Sequence, residues 1–136
     1  MFIIAICEDE PYMLEELRKQ VETYMNSEQL PASIKTCMSG EELLKEKDPF
    51  DVVLLDMMLP GLNGLEVAKQ ISHKIPIIFI TSYREYAVEA FDMNAVHYLI
   101  KPVTKERLFL ALDRAIKRTK KADNQALILM KSGKTQ

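Results

Sequence analysis

The sequence predicts an α/β protein, a three-layer α/β/α sandwich built around one five-stranded parallel sheet. Two observations predict it. Short apolar runs alternate with segments of helical periodicity, the pattern of βαβ units. The middle runs, Val52-Val53-Leu54-Leu55 and Ile77-Ile78-Phe79-Ile80, are continuously apolar, as expected of strands covered on both faces. A chain of 136 residues with 48% apolar content suits one compact domain with such a core.

The elements follow in order. Phe2 to Cys7 reads as the first strand. Pro11 is suited to a first helical turn and opens a helix with Leu14, Leu17, Val21, Tyr24 and Met25 at helical spacing. Ala32 to Met38 is the second strand. Ser39-Gly40-Glu41-Glu42 has the form of a capping box, with Ser39 as N-cap and Glu42 three residues on. Asp48-Pro49 breaks the helix that follows, and Asp51 to Leu55 is the third strand. Pro60-Gly61 and Asn63-Gly64 make a loop, with Gly61 and Gly64 read as turn residues. A helix from about Gly64 carries Leu65, Val67, Ala68 and Ile71. Ile75 to Ile80 is the fourth strand, Arg84 to Met93 a short helix, and Val96 to Ile100 the fifth strand. From Thr104 a last helix places Leu108, Ala111, Leu112, Ala115 and Ile116 on one face.

The tail differs. Asp123-Asn124-Gln125 breaks the helix, Ala126-Leu127-Ile128-Leu129-Met130 reads as a strand and Lys131-Ser132-Gly133-Lys134 as a turn. The expectation is a first domain over 1–121, with 122–136 a linker and the opening of a further domain from a longer protein.

Composition excludes several classes. A formal charge of −2 and a pI near 5.7 do not support nucleic-acid binding by the segment as a whole. Bases dominate from Lys101 to Lys121, which reads as a solvated helix face. The apolar start lacks a basic residue and is followed by acids, unlike a signal peptide. No run approaches the roughly 18 apolar residues of a membrane span, so a cytoplasmic protein is expected. Cys7 and Cys37 lie in predicted strands without metal-ligand spacing and read as reduced core thiols. His73 and His97 are single and fit surface or sheet-edge positions. The eight methionines read as core filler.

Polar residues collect at the ends of the strands. Glu8 and Asp9 follow the first, Asp56 the third, Thr81 the fourth and Lys101 the fifth. In parallel α/β sheets, ligands bind outside these carboxyl ends. Three carboxylates in one crevice repel one another unless a cation is present, and their hard oxygens suit Mg²⁺. Phosphoryl transfer needs an in-line nucleophile and positive charge around the transferred oxygens. Asp56 can be that nucleophile, giving an acyl phosphate. Lys101 supplies a point charge and Thr81 a hydroxyl donor. Ser82 is small and leaves the nucleophile accessible.

These residues stand in four pieces: Cys7-Glu8-Asp9-Glu10-Pro11, Leu54 to Gly64, Ile80-Thr81-Ser82 and Tyr98-Leu99-Ile100-Lys101-Pro102. Together they resemble a receiver domain of a two-component response regulator, CheY-like, over residues 1–121. The resemblance implies a flavodoxin-like sheet of order 2-1-3-4-5. It implies that Asp56 accepts a phosphoryl group from a phosphohistidine on a sensor histidine kinase. It places Mg²⁺ on Glu8, Asp9, Asp56 and the backbone carbonyl of Met58, with Thr81 and Lys101 on the phosphoryl oxygens. It further implies a cis Lys101–Pro102 bond and a switch made by Thr81 and Tyr98. Glu8 stands where many receivers have Asp, which keeps the charge and lengthens the arm.

The stretch from Tyr83 to Asp92 and from Ala95 to Pro102 is similar to the LytR/AlgR group, whose output is a LytTR DNA-binding domain. The tail from Leu127 to Thr135 is similar to the opening strand and turn of that domain. Transcription control would therefore run through a DNA-binding domain missing here. The resemblance also suggests a homodimer through the fourth helix, fifth strand and fifth helix. No enzyme activity is expected beyond promotion of the domain's own phosphorylation and slow dephosphorylation, since bulky Met58 and Tyr83 flank the path for water.

Two rival classes remain. A phosphatase of the haloacid dehalogenase type on a flavodoxin-like scaffold needs a second Asp two residues after its nucleophile, and that position is Met58. A stand-alone receiver acting only by protein–protein interaction would not require the full polar set. A flavin carrier is disfavoured because Glu8-Asp9-Glu10 would repel a phosphate.

Overall fold

A computed structural model describes residues 1–46, 49–71, 74–93 and 95–119. His73 and the tail from residue 120, with its suggested strand and turn, lie outside the described residues. Five strands and five helices alternate: β1 (Phe2–Cys7), α1 (Pro11–Ser27), β2 (Ala32–Cys37), α2 (Gly40–Leu44), β3 (Val52–Leu55), α3 (Gly64–Lys69), β4 (Ile77–Thr81), α4 (Ala87–Asp92), β5 (Ala95–Ile100) and α5 (Lys105–Lys117). All strand pairs are parallel and the sheet order is β2-β1-β3-β4-β5, the predicted order.

Alternation along each strand feeds two cores. Ile4, Ile6, Val52, Leu54, Ile78 and Ile80 pack against Leu17, Val21, Leu108 and Leu112 of α1 and α5. Ala5, Cys7, Val53, Leu55, Ile77 and Phe79 face Leu43, Val67 and Ala90 of α2, α3 and α4. The Tyr24 ring meets the Phe109 ring edge-on at 5.2 Å, fastening α1 to α5.

Several boundaries depart from the sequence reading for definable reasons. β4 starts at Ile77 rather than Ile75, because Pro76 has no N–H for the ladder and offers only its carbonyl, to Val53 N–H at 3.1 Å. α4 starts three residues later than Arg84. The Tyr83 N–H is bound to Thr81 Oγ1 at 3.3 Å and the Tyr83 carbonyl accepts the Tyr98 hydroxyl, so both are engaged outside a helix. Ser39 caps α2, but the Glu42 carboxylate accepts from Met38 N–H rather than closing the box on Ser39. The complete capping box is Asn63 with Glu66, at the start of α3.

Candidate functional site

The site forms where four strands end along one rim of the sheet. Cys7 is the last residue of β1, and its carbonyl accepts from Asp56 N–H at 3.0 Å. Glu8 N–H donates to Cys37 of β2 at 3.0 Å. These rungs bring Glu8 and Asp56 side by side although 48 positions separate them in sequence. Both are buried, at 1% and 5% exposure. Glu8 Oε2 accepts from Glu10 N–H at 3.1 Å. Glu10 then caps α1, accepting from Tyr12 and Met13 N–H at 3.2 and 2.7 Å. The loop after β1 is thus held by its own acids, a role for Glu10 that the sequence reading missed; Glu directly before a helix-opening proline was the available signal.

Lys101 enters from the end of β5. Its ammonium donates to Glu8 Oε1 at 2.7 Å and to Asp56 Oδ2 at 2.9 Å. The Lys101–Pro102 peptide bond is cis. Lys101 N–H also bonds the Thr81 carbonyl at 2.8 Å, so β4 and β5 deliver their polar ends together. Thr81 is fully buried and its hydroxyl accepts from Tyr83 N–H. Met58 N–H donates to Asp56 Oδ1 at 3.0 Å, while the Met58 side chain is exposed. Tyr98 is half-buried, its ring centroid 6.2 Å from that of Phe79, and its hydroxyl donates to the Tyr83 carbonyl. His97, on the same edge strand, receives a hydrogen bond from Arg114 at 2.8 Å.

Charge explains the cluster. Burial pushes the Glu8 carboxyl above the usual carboxylate range, and hydrogen bonds from Lys101 and Glu10 N–H oppose this. Burial works to lower the Lys101 ammonium, but its bonds to Glu8 and Asp56 prevail and hold it above its ordinary value. Each of Glu8, Asp9 and Asp56 offers an oxygen within 4.8 Å of the others. That hard-oxygen set, with Asp9 exposed at the rim, fits a divalent cation of the Mg²⁺ type. Burial also raises both thiols, Cys7 up to about 12 and Cys37 up to about 11, consistent with core residues.

Gly64 is more than a turn residue. Among the described glycines only Gly61 has a positive φ, of 71°. A Cβ on Gly64 would lie 2.5 Å from the Asp56 carbonyl oxygen and 2.7 Å from Met57 Cα, both backbone atoms. Gly64 N–H also bonds the Met57 carbonyl at 2.8 Å. The backbone of α3 therefore lies directly against the end of β3, and a glycine lets it do so.

The family model for the response regulator receiver domain matches residues 4–113. The chain belongs to that family. This receiver is 38% identical over 119 residues to the sensory transduction protein LytT of Oceanobacillus iheyensis, covering 82% of the chain and 46% of that protein. It is 39% identical over 117 residues to the positive alginate biosynthesis regulatory protein of Pseudomonas aeruginosa, again covering 82% and 46%. The chain thus spans about half the length of the curated relatives it matches. Among solved structures, the response regulatory domain of protein mrkE from Klebsiella pneumoniae superposes with a TM-score of 0.74 at 31% identity, covering 84% of the receiver and 94% of that chain. TrrA from Thermotoga maritima, in complex with Mg²⁺-BeF, gives 0.73 at 29% identity, covering 85% and 99%.

Proposed function

We propose that Asp56 is the phosphoacceptor of a two-component signalling protein, taking its phosphoryl group from a phosphohistidine on a sensor histidine kinase. One observation carries the reading: a single ammonium, Lys101, binds Asp56 and Glu8 together at the carboxyl rim of the sheet, beside the Asp9 carboxylate. Glu8, Asp9, Asp56 and the Met58 carbonyl would hold Mg²⁺, which would offset charge on the phosphoryl oxygens. Asp56 attacks phosphorus through a carboxylate oxygen, and the bond to the donor's nitrogen breaks. Lys101 follows the developing charge, since its Nζ is already 2.9 Å from Asp56. Thr81 turns its hydroxyl from the Tyr83 N–H toward a phosphoryl oxygen.

The output follows from the same movement. Tyr98 is bonded to the Tyr83 carbonyl, so a shift of Thr81 and its loop reaches β5 through that hydroxyl. The face of α4, β5 and α5 carries exposed Val88, Phe91 and Leu110 and serves as the homodimer or output surface. The names of relatives, a sensory transduction protein and a transcriptional regulatory protein, support a part in control of transcription, which would run in the cytoplasm through a LytTR-type DNA-binding domain. No described helix is long and apolar enough to cross a membrane.

The test is incubation with acetyl phosphate and Mg²⁺, read by intact mass. One phosphoryl adduct is expected, absent from Asp56→Ala and from samples in excess EDTA. Labelling of Asp56→Ala, or turnover of unrelated phosphoesters, overturns the reading.

A further inference from the structure

The chain has two cysteines, and the fold puts them on one rung. Cys7 ends β1, Cys37 ends β2, and the two are register partners. Both side chains belong to the core on the α2–α3–α4 side, so they point the same way. Paired positions on neighbouring strands lie about 4.7–4.9 Å apart, inside the roughly 4.4–6.8 Å Cα separation of disulfides. The rung is also the base of the acidic site. The Cys37 carbonyl holds Glu8 N–H and the Cys7 carbonyl holds Asp56 N–H, each at 3.0 Å. Cys7 Sγ donates to the Ser39 carbonyl at 3.2 Å, steadying the residue that caps α2. Both cysteines are buried, at 1% and 5% exposure, although β2 is an edge strand and α2 is five residues long.

We propose that Cys7 and Cys37 are a redox pair that closes to a reversible disulfide under a hydroperoxide oxidant, and that the bridge weakens the cation site on the next residue. The coupling rests on the receiver reading of Glu8, Asp9 and Asp56; the bridge does not. Both thiols are buried and raised, so reaction waits on opening of the edge strand; Cys37, on that strand and raised less far than Cys7, reacts first. Its sulfur attacks a peroxide oxygen, the O–O bond breaks, and a sulfenic acid and one water or alcohol result. Cys7 sulfur then attacks the Cys37 sulfur, the S–O bond breaks, and a second water leaves as the S–S bond forms. The two thiols lose two protons and two electrons, which the peroxide takes up. The bridge draws Cys37 toward β1 and shifts the carbonyl that holds Glu8 N–H. It also removes the S–H donor from Ser39.

The experiment treats the folded protein with hydrogen peroxide, quenches, unfolds, alkylates with N-ethylmaleimide and reads intact mass. The expected product carries no alkylated thiol and lacks two hydrogens, and dithiothreitol returns both thiols. Cys7→Ala and Cys37→Ala each stop at a sulfenic acid or an intermolecular dimer. Exposed Met1 and Met38 report the dose by forming sulfoxides. Two free thiols after those methionines have oxidised, or sulfonic acids in place of the bridge, overturn the proposal. In the second arm, the Mg²⁺ concentration giving half-maximal labelling by acetyl phosphate rises about tenfold, the size of a disturbed outer shell at a metal site. Dithiothreitol reverses the part due to the bridge, since sulfoxides survive it. A bridge that forms without moving this midpoint overturns the coupling. Failure of the reduced protein to label refutes the phosphoacceptor reading and the coupling with it, while the mass count still decides the bridge.

Discussion

Replacing Lys101 with Met keeps the aliphatic stem and deletes the ammonium. Glu8 and Asp56, almost fully buried, then lose the cation they share at 2.7 and 2.9 Å. Unit charges about 3 Å apart attract by roughly 5–6 kcal/mol at an effective dielectric near 20. Returning the ammonium's desolvation offsets part of this, and removing one partner of a buried pair typically destabilises by about 3–5 kcal/mol. The Lys101 side chain is 19% exposed, which favours the lower end, about 3 kcal/mol. For a domain of this size that lowers the melting temperature by about 10 °C. The carboxylates are now uncompensated, so a divalent cation binds more tightly and stabilises the variant more than the parent. Thermal melts of both proteins in EDTA and in millimolar Mg²⁺ measure this. A variant that melts within about 2 °C of the parent in EDTA, or a deficit unchanged by Mg²⁺, refutes the reasoning.

Gly64→Ala drives a Cβ into the backbone of Asp56 and Met57; a loss of about 2–3 kcal/mol in denaturant melts and a fall in phosphoryl labelling are expected, and wild-type behaviour in both rejects the close-approach argument. His97 is held below its ordinary value by burial first and then by Arg114 and Arg118, so the unfolded chain binds the proton more readily and stability falls as pH drops below about 6.5. His97→Gln flattens that acid limb in melts taken across the range, and an unchanged slope excludes His97 as its source. Met58→Asn and Tyr83→Glu, at exposed positions adjoining Asp56 and Thr81, accelerate decay of the phosphoryl group by helping to orient water; equal decay rates by intact mass over time dismiss control by these positions.

Much of this was legible in the sequence because strand ends announce themselves. Apolar runs stop abruptly at Glu8, Asp56, Thr81 and Lys101, and a parallel sheet sends all such ends to one rim. The late start of β4 could have been read from Pro76, which breaks the ladder. The late start of the short α4 could not, because its missing turn depends on where the Tyr83 carbonyl and Tyr98 hydroxyl meet. Gly64 was read as a turn residue because a close approach is a distance, and no local pattern states it. The cysteines, 30 positions apart in sequence, looked unrelated until strand register made them neighbours.

Helix α5 begins three residues after Pro102 at the chemical rim, and Arg118 and Thr119 at its end line a groove with Pro49, Phe50, Ile75 and Pro76 at the opposite rim. Thirteen residues of helix span about 20 Å, so a tilt of about 10° at Thr104 carries the far end through roughly 3–4 Å. With Asp56 phosphorylated as proposed, the helix would act as the long arm of a lever whose fulcrum lies beside Lys101. A change of a few tenths of an ångström at the chemical rim would then not need to travel through the sheet to be felt at the other, because the geometry of α5 would enlarge it on the way.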